Sequence, residues 1–311
     1  MMPSLILPTL NAADQAESFL DALEGQSIGE IDRLLIDSTS SDDTADIFAS
    51  AGFRIICIPR KEFDHGVTRQ IAVNLCPDAD IIIFMTQDSV LADRNSLQRL
   101  IDAFNDPHVG AAYGRQLPSQ DASLIASHAR LFNYPANSRV VSKDDIPRLG
   151  VKAAFISNSF AAYRRDALQA VGGFPKHCIV SEDTCVAAKL ILTGWKIAYC
   201  ADAQVFHSHN YNWRQEFQRY FDIGVFHARE PSVRNEFGGA EGEGLRFLKS
   251  EIYYLIRHVP YMIPSALFRS VIKYFGYRIG IWERFISIRF KCRLSMQKAF
   301  WLQERGVRNA A

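Results

Sequence analysis

Six short strings carry the side chains of this sequence that can do chemistry. Thr86-Gln87-Asp88-Ser89 closes an apolar run with one carboxylate, and His207-Ser208-His209 closes another with two imidazoles. Mg2+ or Mn2+ asks one or two carboxylates of a protein and keeps waters elsewhere, so Asp88 suits a cation site. His207, with His209 as its alternate, can add an imidazole. Read locally, Asp88 could also be a turn or helix-capping residue, and the histidines surface residues. Ser181-Glu182-Asp183 offers adjacent carboxylates, which fit a proton-accepting base and also an acidic first helical turn favoured by the helix dipole. Asp37, heading Ser38-Thr39-Ser40-Ser41-Asp42-Asp43-Thr44, is a ligand-facing carboxylate or an Asx-turn residue. Thr9 and Asn11 face the same crevice or start a helix. Phe63-Asp64-His65-Gly66-Val67-Thr68-Arg69 brings a planar cation behind a loop whose glycine permits close backbone approach.

The elements that must position these groups run in βαβα order. Ser4-Leu5-Ile6-Leu7, Arg33-Leu34-Leu35-Ile36, Phe53-Arg54-Ile55-Ile56-Cys57-Ile58 and Asp80-Ile81-Ile82-Ile83-Phe84-Met85 are apolar runs separated by helical patterns. They predict a parallel sheet covered on both faces. In such sheets ligands sit beyond the carboxyl ends of the strands, where Asn11, Asp37 to Asp43 and Gln87-Asp88 all fall. No GxGxxG or GxxxxGK[ST] string follows the first strand, which argues against dinucleotide-binding and P-loop proteins. Beyond Asp88 the pattern predicts a helix over 96–104, a strand over 110–114 and a polar, irregular stretch to about Gly150. A strand over 155–163, helices over 165–171 and 185–192, and strands over 195–200 and 203–206 follow.

The 311 residues are 48% hydrophobic and 22% charged, enough for one large core with an extension. A net charge of +1 argues against nucleic-acid binding. The charge is uneven, with eleven Lys and Arg against two Glu between Leu245 and Phe300. Aromatic and aliphatic residues interleave with those cations, and no apolar run reaches the ~18 to 20 residues of a membrane-spanning helix. A basic amphipathic surface lying on an anionic membrane is expected there, beside the plainer reading of helices packed on the main domain. Six cysteines without CxxC spacing point to a reducing compartment, and no signal peptide is visible.

Taken in order, Pro8-Thr9-Leu10-Asn11, the Asp37 to Thr44 string, Thr86-Gln87-Asp88-Ser89, Ser181-Glu182-Asp183 and His207-Ser208-His209 resemble family 2 glycosyltransferases. The resemblance covers residues 4–230 and implies an α/β fold of GT-A type: a mainly parallel central sheet flanked by helices, with a C-terminal helical extension. A catalytic domain over 1–230 and a basic helical tail over 231–311 are expected. Phe63-Asp64-His65-Gly66-Val67-Thr68-Arg69-Gln70 and His207-Ser208-His209-Asn210-Tyr211, continued by Arg219 to His227, look like bacterial rhamnosyltransferases that use dTDP-L-rhamnose. The resemblance thus implies inverting transfer to a lipid-linked saccharide of O-antigen or related polysaccharide, at the cytoplasmic face of the inner membrane. It makes Asp183 the base, with Glu182 as its alternate, and puts Thr9, Asn11, Asp37, Asp64, His65, Arg69, Gln87 and Asp88 on the donor. Asp88 and His207 would hold Mg2+ or Mn2+, Arg69 would grip the diphosphate, and Asn158 and Ser159 would line the acceptor side. Most related enzymes carry Asp-x-Asp where this chain has Thr86-Gln87-Asp88, so one carboxylate is missing. UDP-hexose transfer and a non-catalytic, membrane-bound sugar-nucleotide scaffold remain alternatives, whereas a sugar-nucleotidyltransferase would need a glycine-rich basic loop that is absent.

Overall fold

The computed structural model describes residues 1–238 and 241–310. One sheet holds nine strands: β1 (Pro3–Thr9), β2 (Asp32–Asp37), β3 (Arg54–Cys57), β4 (Ile81–Met85), β5 (Val90–Leu91), β6 (Val109–Leu117), β7 (Arg139–Val141), β8 (Phe160–Arg164) and β9 (Lys196–Phe206). Their order is β3-β2-β1-β4-β8-β6-β9-β5, with β7 also paired to β9. The four apolar runs of the N-terminal half pair in parallel as expected. Register aligns Thr9 with Asp37, which brings the polar ends of β1 and β2 side by side.

Residues alternate between two cores. Leu5, Leu7, Leu35, Ile81, Ile83 and Met85 enter one, while Ile6, Leu34, Ile36, Ile82 and Phe84 enter the other. Both faces are covered, which is why these strands read as continuous apolar runs rather than as alternating ones.

The sheet is nevertheless mixed. β8 runs antiparallel between β4 and β6, and β9 returns parallel to β6. The strand expected over 155–163 starts only at Phe160, so Ser157 and Asn158 stand in the loop before it. The strands expected over 195–200 and 203–206 are one, β9, whose pairing with β6 slips between Gly114 and Arg115. The stretch expected to be irregular up to Gly150 holds ordered elements.

Helices cover the sheet: α1 (Ala13–Glu24), α2 (Thr44–Ser50), α3 (His65–Asn74), α4 (Ser96–Asp102), α5 (Leu124–Asn133), α6 (Ile146–Leu149), α7 (Arg165–Ala170) and α8 (Glu182–Leu192). Then come α9 (Trp213–Arg229), α10 (Pro231–Phe237), α11 (Glu241–His258), α12 (Ile263–Ile281), α13 (Ile288–Leu294) and α14 (Lys298–Ala310). Of the region expected as a tail over 231–311, residues 239, 240 and 311 lie outside the described residues. Its helices share the main core: Val233, Phe237 and fully buried Trp301 join Phe221 and Tyr163 in one cluster. Arg229 of α9 ties the region down through Glu283 at 2.9 Å and Glu304 at 2.5 Å.

Candidate active site

The carboxyl ends of β2, β1 and β4 are sewn together by their own polar side chains. Asp37 Oδ1 accepts from Thr9 Oγ1 at 3.2 Å and from Ser40 Oγ at 2.5 Å, while its Oδ2 accepts the Ser40 N–H at 2.8 Å. Ser40 Oγ in turn accepts the Asn11 N–H, and Asn11 Oδ1 accepts the Ser41 N–H, each at 2.8 Å. Asn11 and Thr39 take left-handed φ values of 50° and 58°, which these cross-bonds hold in place. Gln87 was expected on the donor. Its amide clamps Leu10, accepting the N–H at 2.9 Å and donating to the carbonyl at 3.3 Å. Thr9 and Asp37 are buried, and Asn11 is exposed at the rim.

One strand further along, Asp88 meets the two imidazoles. Asp88 Oδ2 lies 3.3 Å from His207 Nε2 and 3.8 Å from His209 Nδ1. Ligand atoms of the three residues all fall within 4.8 Å of one another, the spacing needed to close around one ion. Gln116, at the end of β6, decides which histidine nitrogen is offered. Its Oε1 sits 2.9 Å from His207 Nδ1 and also accepts from Arg130 Nη1 of α5, and its Nε2 donates to Ser157 Oγ at 3.0 Å. With Nδ1–H donated to that oxygen, His207 turns Nε2 toward Asp88, donating to the carboxylate when protonated and offering its lone pair to a cation when neutral. Burial, helped by His207, lowers His209 to about 4, which keeps its ring neutral and able to ligate. Burial alone would raise Asp88, yet the hydrogen bond and charge from His207 outweigh it and hold the carboxylate below its usual range. Both histidines therefore stand in the same cluster, and the donor set of one carboxylate and two imidazoles fits a divalent cation.

The Glu182-Asp183 pair opens α8, and its members face different surroundings. Glu182 is buried in an ion pair with Arg69 Nη1 at 3.1 Å and accepts from Asn158 Nδ2 at 3.0 Å. Burial opposes its charge, but Arg69 holds it below the ordinary carboxylate range. Asp183 is half-buried; its Oδ2 accepts the Asn158 N–H at 3.2 Å and its Oδ1 the Thr184 N–H at 2.7 Å. Burial first, and repulsion from Glu182 second, lift it to about 6. Two neighbouring carboxyls with separated affinities are how one site keeps a structural anion next to a proton acceptor tuned near neutrality. Asn158, expected on the acceptor side, is buried and joins the two, with its Oδ1 accepting from Tyr163 Oη at 2.8 Å.

The loop before α3 is held by contacts of its own. Asp64 caps α3, with Oδ1 accepting the Gly66 and Val67 N–H groups at 3.0 and 2.9 Å. Gly66 has no room for a side chain, since a Cβ there would lie 1.9 Å from the Pro175 carbonyl oxygen. Arg69 was expected to grip a diphosphate. It is 5% exposed, donates to the His65 carbonyl at 3.0 Å and pairs with Glu182. Burial lowers the half-buried His65.

One participant, Gln116, lies outside every motif, and another, Arg219, stands in a motif string without an assigned role. Gln116 follows a strand as the other polar clusters do, so the strand-end rule that marks Asp88 marks it too. Arg219 of α9 is half-buried, has no hydrogen bond or ion pair among the described residues, and its charge bears on both His65 and His209. The site therefore holds a free cation where Arg69 is already paired.

Residues 4–172 match the family described as Glycosyl transferase family 2. The chain is 47% identical to the O-antigen chain rhamnosyltransferase RfbN of Salmonella typhimurium (strain LT2), covering 97% of this chain and 96% of that one. It is 46% identical to the O-antigen chain rhamnosyltransferase WbaN of Salmonella anatum, covering 96% of each. In fold it is similar to the mannosyltransferase PcManGT of Pyrobaculum calidifontis, solved with GDP-Man and Mn2+ (TM-score 0.57, 16% identity, 96% of this chain and 84% of that chain). It is also similar to S. aureus TarS 1–349 with UDP-GlcNAc (TM-score 0.54, 14% identity, 91% of each).

Proposed function

This chain belongs to glycosyl transferase family 2, and from that premise we infer that it moves L-rhamnose from dTDP-L-rhamnose onto a lipid-linked saccharide of a growing O-antigen. The geometry that carries the metal-assisted part of this reading is the convergence of Asp88, His207 and His209. Asp88 Oδ2, His207 Nε2 and a ring nitrogen of His209 would hold the cation, and two imidazoles tilt the set from Mg2+ toward Mn2+. When bound there, the ion would supply Lewis-acid neutralisation of the leaving diphosphate.

The remaining work falls to the chain itself. The stitched ends of β1 and β2 present Asn11 at the rim to the nucleotide, with Asp37 and Thr9 buried beneath it, and Arg219 faces the diphosphate. Asp183 takes the proton of the acceptor hydroxyl as that oxygen attacks the anomeric carbon from the face opposite the phosphate. A single base and one displacement invert the centre, so a β-linked donor yields an α-linked product. Asn158 and Glu182, backed by Arg69, fix the direction and proton affinity of that base.

A lipid-linked acceptor brings the enzyme to the cytoplasmic face of the inner membrane, where its basic C-terminal helices meet anionic lipid. Among the described residues no helix is long and apolar enough to cross a membrane. The test is transfer by purified protein onto lipid-linked acceptors, with dTDP-rhamnose, UDP-glucose and UDP-galactose in competition and with EDTA as a control. Rhamnose transfer abolished by EDTA and restored by Mn2+ is expected. Preference for a UDP-hexose, or transfer indifferent to EDTA, would overturn the donor or the cation assignment respectively.

A further inference from the structure

α12 is apolar on opposite sides. Its inner side, with Ala266, Gly276, Tyr277 and Gly280, is sunk into α9, and a Cβ on Gly280 would fall 2.1 Å from the Phe221 carbonyl oxygen. Its outer side carries Leu267, Phe268, Val271, Tyr274 and Phe275, each between 42% and 57% exposed. The stripe continues through Trp282 at 61% and Phe285 at 74% exposure. A helix facing water places polar residues there, and a contiguous apolar patch of this extent marks an interaction surface.

The distribution of cations around the stripe indicates what covers it. Arg269 and Lys273 turn inward to Glu216 at 3.2 and 3.5 Å, and buried Lys291 bonds Glu283. Arg278, Arg284 and Arg289 are exposed with no hydrogen bond or ion pair among the described residues, and Arg284 lies over the Phe285 ring at 4.6 Å. A partner must therefore be apolar in its interior and anionic at its rim. Two-fold pairing with a second copy would set these arginines against the same positive field, a repulsive arrangement.

We propose that the outer side of α12, extended by Trp282 and Phe285, lies in the plane of an anionic phospholipid bilayer. The apolar side chains enter the boundary between headgroups and acyl chains, Tyr274 and Trp282 sit at headgroup level, and Arg278, Arg284 and Arg289 meet lipid phosphates. The same helix holds the catalytic loop. Arg269 Nη1 donates to the Tyr211 carbonyl at 2.9 Å, Tyr211 stacks on His209 with ring centres 5.1 Å apart, and Phe268 meets Trp213 edge-on at 4.9 Å. Docking thus fixes the site relative to the bilayer, so that a lipid-anchored acceptor reaches it without leaving the membrane, a consequence that rests on the proposed acceptor.

The test is flotation of the full chain with vesicles of phosphatidylcholine, with and without phosphatidylglycerol. Wild type should bind the anionic vesicles and release them as salt rises. The paired variant Val271→Glu, Phe275→Glu should lose binding by more than about tenfold while keeping transfer to a water-soluble, short-chain acceptor. Arg278→Gln, Arg284→Gln, Arg289→Gln, which leaves the apolar stripe intact, should lose the preference for phosphatidylglycerol, and it keeps the question open to refutation where the paired variant does not fold. Undiminished vesicle binding by either variant overturns the proposal. So does a concentration-dependent dimer of the wild type, without vesicles, that Val271→Glu, Phe275→Glu abolishes. Failure of wild type to glycosylate the soluble acceptor would count against the assigned reaction, and vesicle binding would still decide the docking face.

Discussion

Replacing Asp183 by Asn should abolish transfer and at the same time stabilise the folded protein at neutral pH. Burial and the neighbouring Glu182 raise Asp183 from 3.8 to about 6. A carboxyl with a raised folded pKa holds its proton more tightly folded than unfolded, so ionising it costs stability. That cost is absent below the unfolded value, grows between 3.8 and about 6, and is complete above. About two pH units correspond to ~3 kcal/mol. Asn cannot ionise, but it has one acceptor oxygen for the two N–H donors, Asn158 and Thr184, that Asp183 now serves. The orphaned donor returns about 1 kcal/mol. The expected net gain is about 2 kcal/mol at about pH 7.5, turning into a loss of about 1 kcal/mol near pH 4, where wild-type Asp183 is protonated. Urea denaturation at both pH values measures the difference. Turnover should fall by about 10²- to 10⁴-fold, and the wild-type rate should rise with pH through a midpoint of about 6 as the base loses its proton. A variant that is less stable than wild type at both pH values, or one that transfers sugar at the wild-type rate, refutes the assignment.

Arg69→Met leaves the Glu182 charge buried without its partner and should cost ~3–5 kcal/mol in chemical denaturation, with little change in donor KM. A raised donor KM at unchanged stability would put Arg69 on the diphosphate after all. Gln116→Leu frees the His207 ring and should weaken Mn2+ binding by about 10- to 100-fold, measured by titration calorimetry with a nucleoside diphosphate present. Equal affinity would detach Gln116 from the cation site. Gly280→Ala places a Cβ 2.1 Å from the Phe221 carbonyl oxygen and should lower stability by about 1–3 kcal/mol as α12 is pushed off α9, read as a drop in melting temperature.

The legible features were those set by neighbours in sequence or by strand order. β1, β2 and β4 read clearly because both faces are buried, and the polar strings after them fell at one edge because parallel strands end together. Asp88 and His207 were readable as strand-end residues. What sets the His207 tautomer is Gln116, 91 residues away in sequence, and no local pattern carries that information. α5 was locally marked, since Ser123 caps it and Leu124, Ile125, His128 and Phe132 share helical spacing, yet the surrounding polar residues masked the period. Arg69 is ambiguous for a chemical reason: a guanidinium fork fits carboxylate and phosphate alike, so residue type alone does not choose between Glu182, its partner in the structure, and a diphosphate.

The C-terminal region shows how the same ambiguity acts on a whole surface. Its composition, basic and apolar together, predicts a helix with a charged outer face and an apolar inner one. α12 partly inverts that arrangement: Arg269 and Lys273 are drawn inward by Glu216, while Leu267, Phe268, Val271, Tyr274 and Phe275 face out. The inversion depends on Glu216 sitting on the neighbouring helix and on Gly224, Gly276 and Gly280 letting α12 approach closely enough for the pairs to form. Charge counted along the chain thus overstates the cations available to a membrane and misses the apolar surface. Binding should accordingly depend on Val271 and Phe275 at least as strongly as on Arg278, Arg284 and Arg289.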